Sequence, residues 1–159
     1  MSFKKIMFDT NIFDKLPSII NKIKNSTDKY EYYVTTIQVE ELCEIPDDKI
    51  SKRKSNILML ADLRAKLVPI SLFILNGRAQ LGYVRLGDGK VYHSMVEGNK
   101  GNSDDAIIAD TAVSEGCTLI TNDKAFYNRM KNNNYEVMTL EEFLAEIEEG
   151  EASERLGKG

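Results

Sequence analysis

The stretch that decides the fold runs from Ser103 to Asp123 and has the sequence SDDAIIADTAVSEGCTLITND. Two acids, Asp104 and Asp105, open a run of small and apolar residues at helical spacing, and Gly116 is typical of a helix end. The apolar residues after Gly116 predict a short strand that finishes just before Asp123. The segment is therefore predicted to be a helix followed by a strand, with carboxylates at both tips.

The first predicted strand, Lys4 to Phe8, has the same character, because Asp9, Thr10 and Asn11 follow it at once. In open α/β sheets, ligands collect outside the carboxyl ends of the strands. An acid at such a position is poorly suited to a core and well suited to a site. We therefore expect Asp9 and Asp123 to share one pocket at this edge of the sheet.

Strands and helices alternate along the whole chain. A capping box, formed by Thr35 and Gln38, marks the start of one helix. The predicted strands are Lys4 to Phe8, Tyr30 to Thr35, Leu67 to Ile70, the segment before Asp123, and Tyr135 to Met138; later helices are predicted over Ile50 to Lys66, Asp123 to Lys131 and Leu140 to Glu149. This alternation predicts an α/β fold, a three-layer α/β/α arrangement with a mostly parallel central sheet.

The length of 159 residues and the hydrophobic content of 42% suit one domain. We expect this domain to span residues 1–149, with an acidic, frayed tail over 150–159. Residues 71–102 are rich in glycine, and Asp88 and Gly89 predict the turn of a surface hairpin or a loop. No apolar run approaches the roughly 18 residues needed to cross a bilayer, so we expect a cytoplasmic protein without membrane contact.

The net charge of −4 conceals a division along the chain. From Glu136 onward there are eight acids and two basic residues, a local charge of 2 − 8 = −6. The preceding 135 residues hold 19 basic and 17 acidic side chains, which gives 19 − 17 = +2. A polyanionic substrate is therefore permitted by the charge of the body, although it is not required.

Two further acids lie on helix faces that otherwise point to the core. Glu41 is four residues from both Ile37 and Ile45 and so shares an apolar stripe with them. Asp105 shares a face with Ile108 and occupies the first turn of its helix, where the helix dipole favours the ionised form. Both acids are therefore candidates for the same pocket as the two strand-end acids.

Gathering four carboxylates has an electrostatic cost. Two unit charges about 5 Å apart at an effective dielectric constant of about 20 repel by roughly 3 kcal/mol. Mg²⁺ or Mn²⁺ would neutralise the acids directly, because both are hard cations that prefer oxygen ligands. Zinc is disfavoured, since the chain has a single histidine and no cluster of Cys and His. An oxygen-only metal site suits hydrolytic phosphoryl transfer.

The acidic motifs, taken in order, resemble those of the PIN-domain family, close to the VapC-like toxin ribonucleases. Each motif is a weak signal alone, but the order and the 123 − 105 = 18 positions between the last two acids make the set specific. The resemblance covers the chain from about Lys4 to about Leu144. It is carried by Asp9-Thr10-Asn11, Glu41-Leu42, Asp105-Ala106-Ile107-Ile108-Ala109 with Thr111-Ala112, and Thr121-Asn122-Asp123 followed by Phe126.

The resemblance implies a metal-dependent ribonuclease that cleaves single-stranded or looped RNA with Mg²⁺ or Mn²⁺. It also implies a homodimer and an antitoxin protein that holds the enzyme inactive. The implied catalytic and metal-binding residues are Asp9, Glu41, Asp105 and Asp123, with Asn11 and Thr121 in supporting positions. The adjacent acids Asp104 and Glu40 leave two of these assignments open by one residue, and Asp104 is kept as a supporting candidate.

Other interpretations remain at this point. The basic run Lys52, Arg53 and Lys54 is either a solvated helix face or a contact for the RNA backbone. The whole chain could be a PIN-like module that binds RNA or protein without cleavage, although such a module has no need of intact acids. A phosphatase of the haloacid-dehalogenase type needs a second Asp two residues after the nucleophile, and Asn11 stands in that place.

Overall fold

The computed structural model describes residues 3–26, 28–71, 84–96 and 103–156. Seven strands and seven α-helices alternate along these ranges. The strands are β1 (Lys4–Phe8), β2 (Tyr30–Thr35), β3 (Lys66–Val68), β4 (Ile70–Ser71), β5 (Val84–Arg85), β6 (Thr118–Ile120) and β7 (Val137–Met138). The helices are α1 (Leu16–Lys24), α2 (Thr36–Cys43), α3 (Ile50–Asp62), α4 (Lys90–Val96), α5 (Ser103–Glu115), α6 (Lys124–Asn132) and α7 (Leu140–Leu156), with 3₁₀ turns at Thr10–Asp14 and Asp47–Lys49.

Five parallel strands form the central sheet in the order β3-β2-β1-β6-β7. The chain moves outward from β1 through β2 to β3, and later returns to the other side of β1 to add β6 and β7. The strand order therefore reverses between β1 and β6. In sheets of this kind the reversal leaves a crevice at the carboxyl ends of the two strands, where ligands bind. The fold is the three-layer α/β/α architecture that the alternation of elements predicted.

Alternate residues of each strand face opposite layers, as the pleat requires. On one face, Ile6 and Phe8 of β1 belong to a buried cluster with side chains of α1, α3 and α7. On the other face, Met7 belongs to a cluster with side chains of α4, α5 and α6. Seven consecutive buried residues, from Ala106 to Ala112, place α5 firmly against the sheet. Three of the seven are alanines, at positions 106, 109 and 112. Their small side chains let the helix and the sheet approach closely.

The segment between β3 and α5 differs from the prediction. The expected strand over Leu67 to Ile70 is divided in two, because Pro69 has no amide hydrogen to continue the ladder. The second piece, β4, pairs in parallel with β5 in a separate two-stranded sheet. The expected hairpin around Asp88 and Gly89 was wrong for the described residues: Asp88 Oδ1 accepts a hydrogen bond from the Lys90 amide and α4 begins there. Residues 72–83 and 97–102 of the glycine-rich region lie outside the described ranges.

Helix ends account for two further differences in boundaries. The helix α3 ends at Asp62 rather than Lys66, and Arg64 adopts a left-handed backbone conformation with φ of 51°. At the other end of the chain, α7 continues to Leu156, beyond the expected domain boundary at residue 149. Helical structure therefore reaches into the segment that we expected to be frayed. No helix in the described ranges combines the length and apolarity that crossing a membrane requires.

Gln38 connects the start of α2 to the end of β1. Its side chain forms the predicted capping box with Thr35, and its Nε2 donates a hydrogen bond to the carbonyl oxygen of Phe8. Gln38 is fully buried, so neither partner can turn to bulk water if the amide is removed. The residue therefore fixes the position of the backbone immediately before Asp9.

We predict that Gln38→Ala lowers the free energy of unfolding by about 2 kcal/mol, because it removes a cap and leaves a buried carbonyl unpaired. Urea denaturation followed by circular dichroism measures this change. Asn21→Ala on the exposed face of α1 is the control, with an expected change of no more than about 0.5 kcal/mol. Equal effects of the two substitutions would show that Gln38 has no special role in holding β1 and α2 together.

Candidate functional site

The site is at the carboxyl edge of the central sheet, at the reversal of strand order. Phe8 of β1 is in register with Ile120 of β6, and the Asp9 amide donates to the Ile120 carbonyl over 2.8 Å. The residues that follow the two strands are therefore neighbours. Asp9 follows β1 directly, and Thr121 begins the short connection that leads to Asp123 at the start of α6.

Thr121 joins the two strand-end acids. Its hydroxyl donates to Asp9 Oδ2 over 2.8 Å, and its Oγ1 accepts a hydrogen bond from the Asp123 amide over 3.0 Å. Asp123 Oδ1 in turn accepts the Phe126 amide and caps α6. The connection is also tied to α7, because Asn122 Oδ1 accepts from the Leu140 amide. Neutral donors thus fix the backbone and side chains around Asp9 and Asp123.

Asp9 is a buried acid, with 3% of its surface exposed. Burial raises the pKa of Asp9 above its ordinary value, and the nearby charge of Asp123 raises it further. Hydrogen bonds from the Thr121 hydroxyl and the Thr10 amide oppose this shift without cancelling it. The carboxyl group is therefore held in a place where its ionised form is disfavoured, which is unusual for an acid with only a structural role.

Asp105 reaches the same region from the first turn of α5. Burial raises the pKa of Asp105 to about 6, and the charges of Asp9, Asp123 and Asp104 contribute in the same direction. Asp105, Asp9 and Asp123 therefore form one electrostatically coupled group, although they come from distant parts of the chain. Of the adjacent pair, Asp105 is the acid whose pKa responds to Asp9 and Asp123, and the charge of Asp104 adds to that shift.

Glu41 joins this group through Thr10. The Thr10 hydroxyl donates to Glu41 Oε2 over 2.5 Å, and Thr10 is the residue after Asp9. Glu41 and Ile37 belong to the same helix, α2, and Ile37 is fully buried. The geometry therefore links Glu41 to the residue next to Asp9.

The remaining predicted residues have more varied positions. Asn11 is exposed on the 3₁₀ turn after β1, whereas Thr121 is fully buried between the acids. In the basic run, Lys52 pairs with Asp14, and Arg53 pairs with Asp47 and donates to the Ile45 carbonyl. Lys54 is exposed. Two of the three basic side chains are thus already engaged in intramolecular pairs.

One member of the site could not be recognised from the sequence. Arg129 Nη2 donates to Asp105 Oδ2 over 3.1 Å and lowers the pKa of that acid against the effect of burial. Arg129 is on α6, six residues after Asp123, at a spacing that matches no recognisable motif. Thr10 and Gln38 were also not identified as members of the site, although each is adjacent in sequence or structure to Asp9.

The chemistry of this group suits a hard divalent cation, since it offers carboxylate oxygens and a threonine hydroxyl and no soft ligand. In the described part of the chain, however, no three or more His, Cys, Asp or Glu side chains stand close enough together to form a ready metal site. Asp123 is exposed, so its side chain has room to rotate. The donors fit Mg²⁺ or Mn²⁺ in kind, and a metal site would require adjustment of their side chains.

An open groove of about 1000 Å³ lies between α1, α6 and α7. Asn122 and Lys124, the neighbours of Asp123, line one end of it, and Lys15 and Lys22 line it from the side of α1. Its other wall, from α7, contributes Glu141, Glu142 and Glu148. None of the four predicted acids lines the groove, and its link to them is through the two sequence neighbours of Asp123.

Comparison with solved structures identifies the fold, and the similar structures are distant in sequence. No protein-family model and no curated protein matches the sequence. Among solved structures, PAE2754 from Pyrobaculum aerophilum has 16% identity and a TM-score of 0.60, covering 91% of this chain and 89% of that one. VapBC2 from Rickettsia felis, solved with a DNA fragment from its promoter, has 17% identity and a TM-score of 0.58, covering 85% and 98%.

A third similar structure is a domain of a functionally unknown protein from Methanocaldococcus jannaschii. It has 18% identity and a TM-score of 0.53, with coverage of 86% of this chain and 91% of that domain. Identities of this size establish a shared fold and do not carry an activity from one protein to another. The chain has the PIN-like, VapC-like fold that its acidic motifs predicted.

Proposed function

We propose that this protein is an endoribonuclease that depends on Mg²⁺ or Mn²⁺ and hydrolyses phosphodiester bonds. The observation that carries the proposal is the electrostatic coupling of Asp9, Asp105 and Asp123 at the point where the strand order reverses. Burial and the charges of neighbouring acids disfavour the ionised forms of Asp9 and Asp105 there, and a divalent cation would relieve both effects. The PIN-like fold supports a nuclease in preference to other metal-dependent hydrolases.

The proposed ligands are Asp9, Glu41, Asp105 and Asp123. A divalent cation held by them would supply an activated water and would stabilise the charge that develops on the phosphate. Thr121 keeps the Asp9 carboxylate oriented through its hydroxyl, and Thr10 does the same for Glu41. Because both are neutral donors, they orient the acids and leave the negative charge of the cluster in place.

The open groove between α1, α6 and α7 is the proposed path for the RNA strand. Lys15 and Lys124 are exposed cations on its walls, and Lys124 directly follows Asp123. Backbone phosphates are recognised chiefly by such charges. This location differs from the basic run of α3, where Lys52 and Arg53 are already paired with acids.

We further propose a cytoplasmic toxin that forms a homodimer and is restrained by an antitoxin protein. The similarity of the fold to that of VapBC2 supports this part of the proposal. A non-catalytic binding module is the alternative. The retention of a buried, electrostatically strained acid cluster favours the enzyme, since a module that only binds would gain stability by losing these charges.

Asp9→Asn and Asp123→Asn should each lower RNA cleavage by at least ~100-fold, because even outer partners of metal ligands contribute 10–100-fold. The assay is cleavage of a looped RNA in Mg²⁺ or Mn²⁺, with excess chelator abolishing it. Asp28→Asn, at an exposed turn residue, is the control and should cleave like the wild type. Cleavage that survives both site substitutions or the chelator would refute the proposed mechanism.

Asp9→Asn should also make the folded protein more stable at pH 7 in the presence of chelator. Burial raises the pKa of Asp9 in the folded state. The favourable contribution of Asp9 to the free energy of unfolding is therefore complete below its ordinary pKa of 3.8, and it is lost as the pH rises through the folded-state pKa. The substitution removes this penalty, while the Asn side-chain oxygen can still accept from Thr121. Urea midpoints at pH 7 and pH 3.5 measure the effect.

The gain from Asp9→Asn should be clear at pH 7 and should be much smaller at pH 3.5, where the wild-type acid is mostly protonated in both the folded and the unfolded state. Asp28→Asn should show no such dependence on pH. A loss of stability at pH 7 would mean that the Asp9 charge is stabilised by its surroundings, contrary to the direction of its pKa shift.

A further inference from the structure

Arg129 is held beside the acid cluster on two sides. One side is the hydrogen bond to Asp105 Oδ2, and the other is Phe126, whose ring centroid is 5.6 Å from the guanidinium carbon. Phe126 is fully buried and cannot move away easily. Only 26% of the Arg129 side chain is exposed. The guanidinium group is therefore a fixed positive charge at the edge of the cluster.

The contact between Arg129 and Asp105 is weaker than an optimal pair of this type. A single N–H reaches a single oxygen at 3.1 Å, whereas charge-assisted hydrogen bonds are typically about 2.7–2.9 Å and arginine often binds carboxylates through two. Nε of Arg129 is buried and has no hydrogen-bond partner among the residues that the structure describes. The geometry is that of a counter-charge near an acid, and not that of a locked bidentate clamp.

From this arrangement we infer that Arg129 serves as the internal counter-charge of the acid cluster and competes with a divalent cation for the Asp105 carboxylate. The inference rests on the proposed function, because it concerns the metal that this function requires. It adds a residue of the chain that sets how tightly the metal binds. Arg129 would thereby reduce the electrostatic repulsion among the acids in the folded protein and limit the affinity of the cluster for cations.

Competition outweighs orientation for two reasons. First, a guanidinium group and a divalent cation at the same carboxylate repel each other across a partly buried region, where screening by water is reduced. Second, the backbone that carries Asp105 does not depend on Arg129, because α5 is fixed by the buried residues Ala106 to Ala112. Removal of Arg129 should therefore leave the carboxylate in place and remove the competing charge.

The test is the affinity for Mn²⁺, measured on the intact protein by isothermal titration calorimetry. Arg129→Met keeps most of the aliphatic volume and removes the charge, and it should tighten Mn²⁺ binding by about tenfold, the size of one charge-assisted hydrogen bond. Arg129→Lys keeps the charge and should remain within about threefold of the wild type. The temperature of unfolding should also rise more on addition of Mn²⁺ in Arg129→Met than in the wild type.

Lys131→Met is the matched control, since it removes one positive charge from the same helix. Lys131 is exposed and lies over the Tyr127 ring, 5.6 Å from its centroid. Its substitution should change Mn²⁺ affinity by less than about twofold, as expected for an exposed charge under screening. Tighter Mn²⁺ binding in Arg129→Met but not in Lys131→Met would support the inference. Equal changes in the two variants would show an effect of net charge alone and would overturn the inference.

Unchanged or weaker Mn²⁺ binding in Arg129→Met also overturns the inference, the weaker value indicating that Arg129 orients Asp105. If Arg129→Met does not fold, Arg129→Gln, which retains hydrogen-bond donors without the charge, decides the question by the same criterion. Failure of the proposed function is distinguishable. In that case the wild type binds Mn²⁺ no better than Asp9→Asn does. No bound metal then competes with Arg129, and both the proposed function and this inference are overturned.

Discussion

The reversal of strand order between β1 and β6 is the constraint on which the site depends. It places the residues after two adjacent parallel strands at the centre of one sheet edge, with no helix crossing directly between them. Asp9 and Asp123 are 114 positions apart in the sequence numbering (123 − 9) but become neighbours through the register of Phe8 and Ile120. The α5 helix, packed by small side chains on the same sheet, then brings Asp105 to this edge.

Local patterns were sufficient to predict the strands that precede Asp9 and Asp123. Asp9 and Asp123 follow short apolar runs, and Thr35 with Gln38 forms the capping box expected of that pair. These features depend on residues a few positions apart, so one sequence is enough to identify them. Which helices cover which face of the sheet, and the separation of β4 and β5 into a second sheet, depend on long-range packing.

The two least predictable features arise from tertiary contacts. Asp88 and Gly89 carry the composition of a hairpin turn, yet Asp88 accepts the Lys90 amide and a helix follows, with Met95 buried against the sheet. Arg129 resembles any basic residue near a helix end, and only the fold brings it to Asp105. Turn composition and single charges are compatible with several structures, and packing selects among them. The acids, by contrast, are identified by their unusual positions alone.

The partners of the acids explain how a chain can keep such a cluster. Thr121 and Thr10 are neutral donors, so they fix the directions of Asp9 and Glu41 without reducing their charge. A lysine or arginine at either position would instead place a positive charge against the acid, where the proposed cation would bind. Arg129 is the exception, and it contacts the acid at the rim, Asp105, through one long hydrogen bond. The deeper acid, Asp9, contacts the neutral Thr121 instead, and under the proposed function its carboxylate would be the one that gains most from a divalent cation at the centre of the sheet edge.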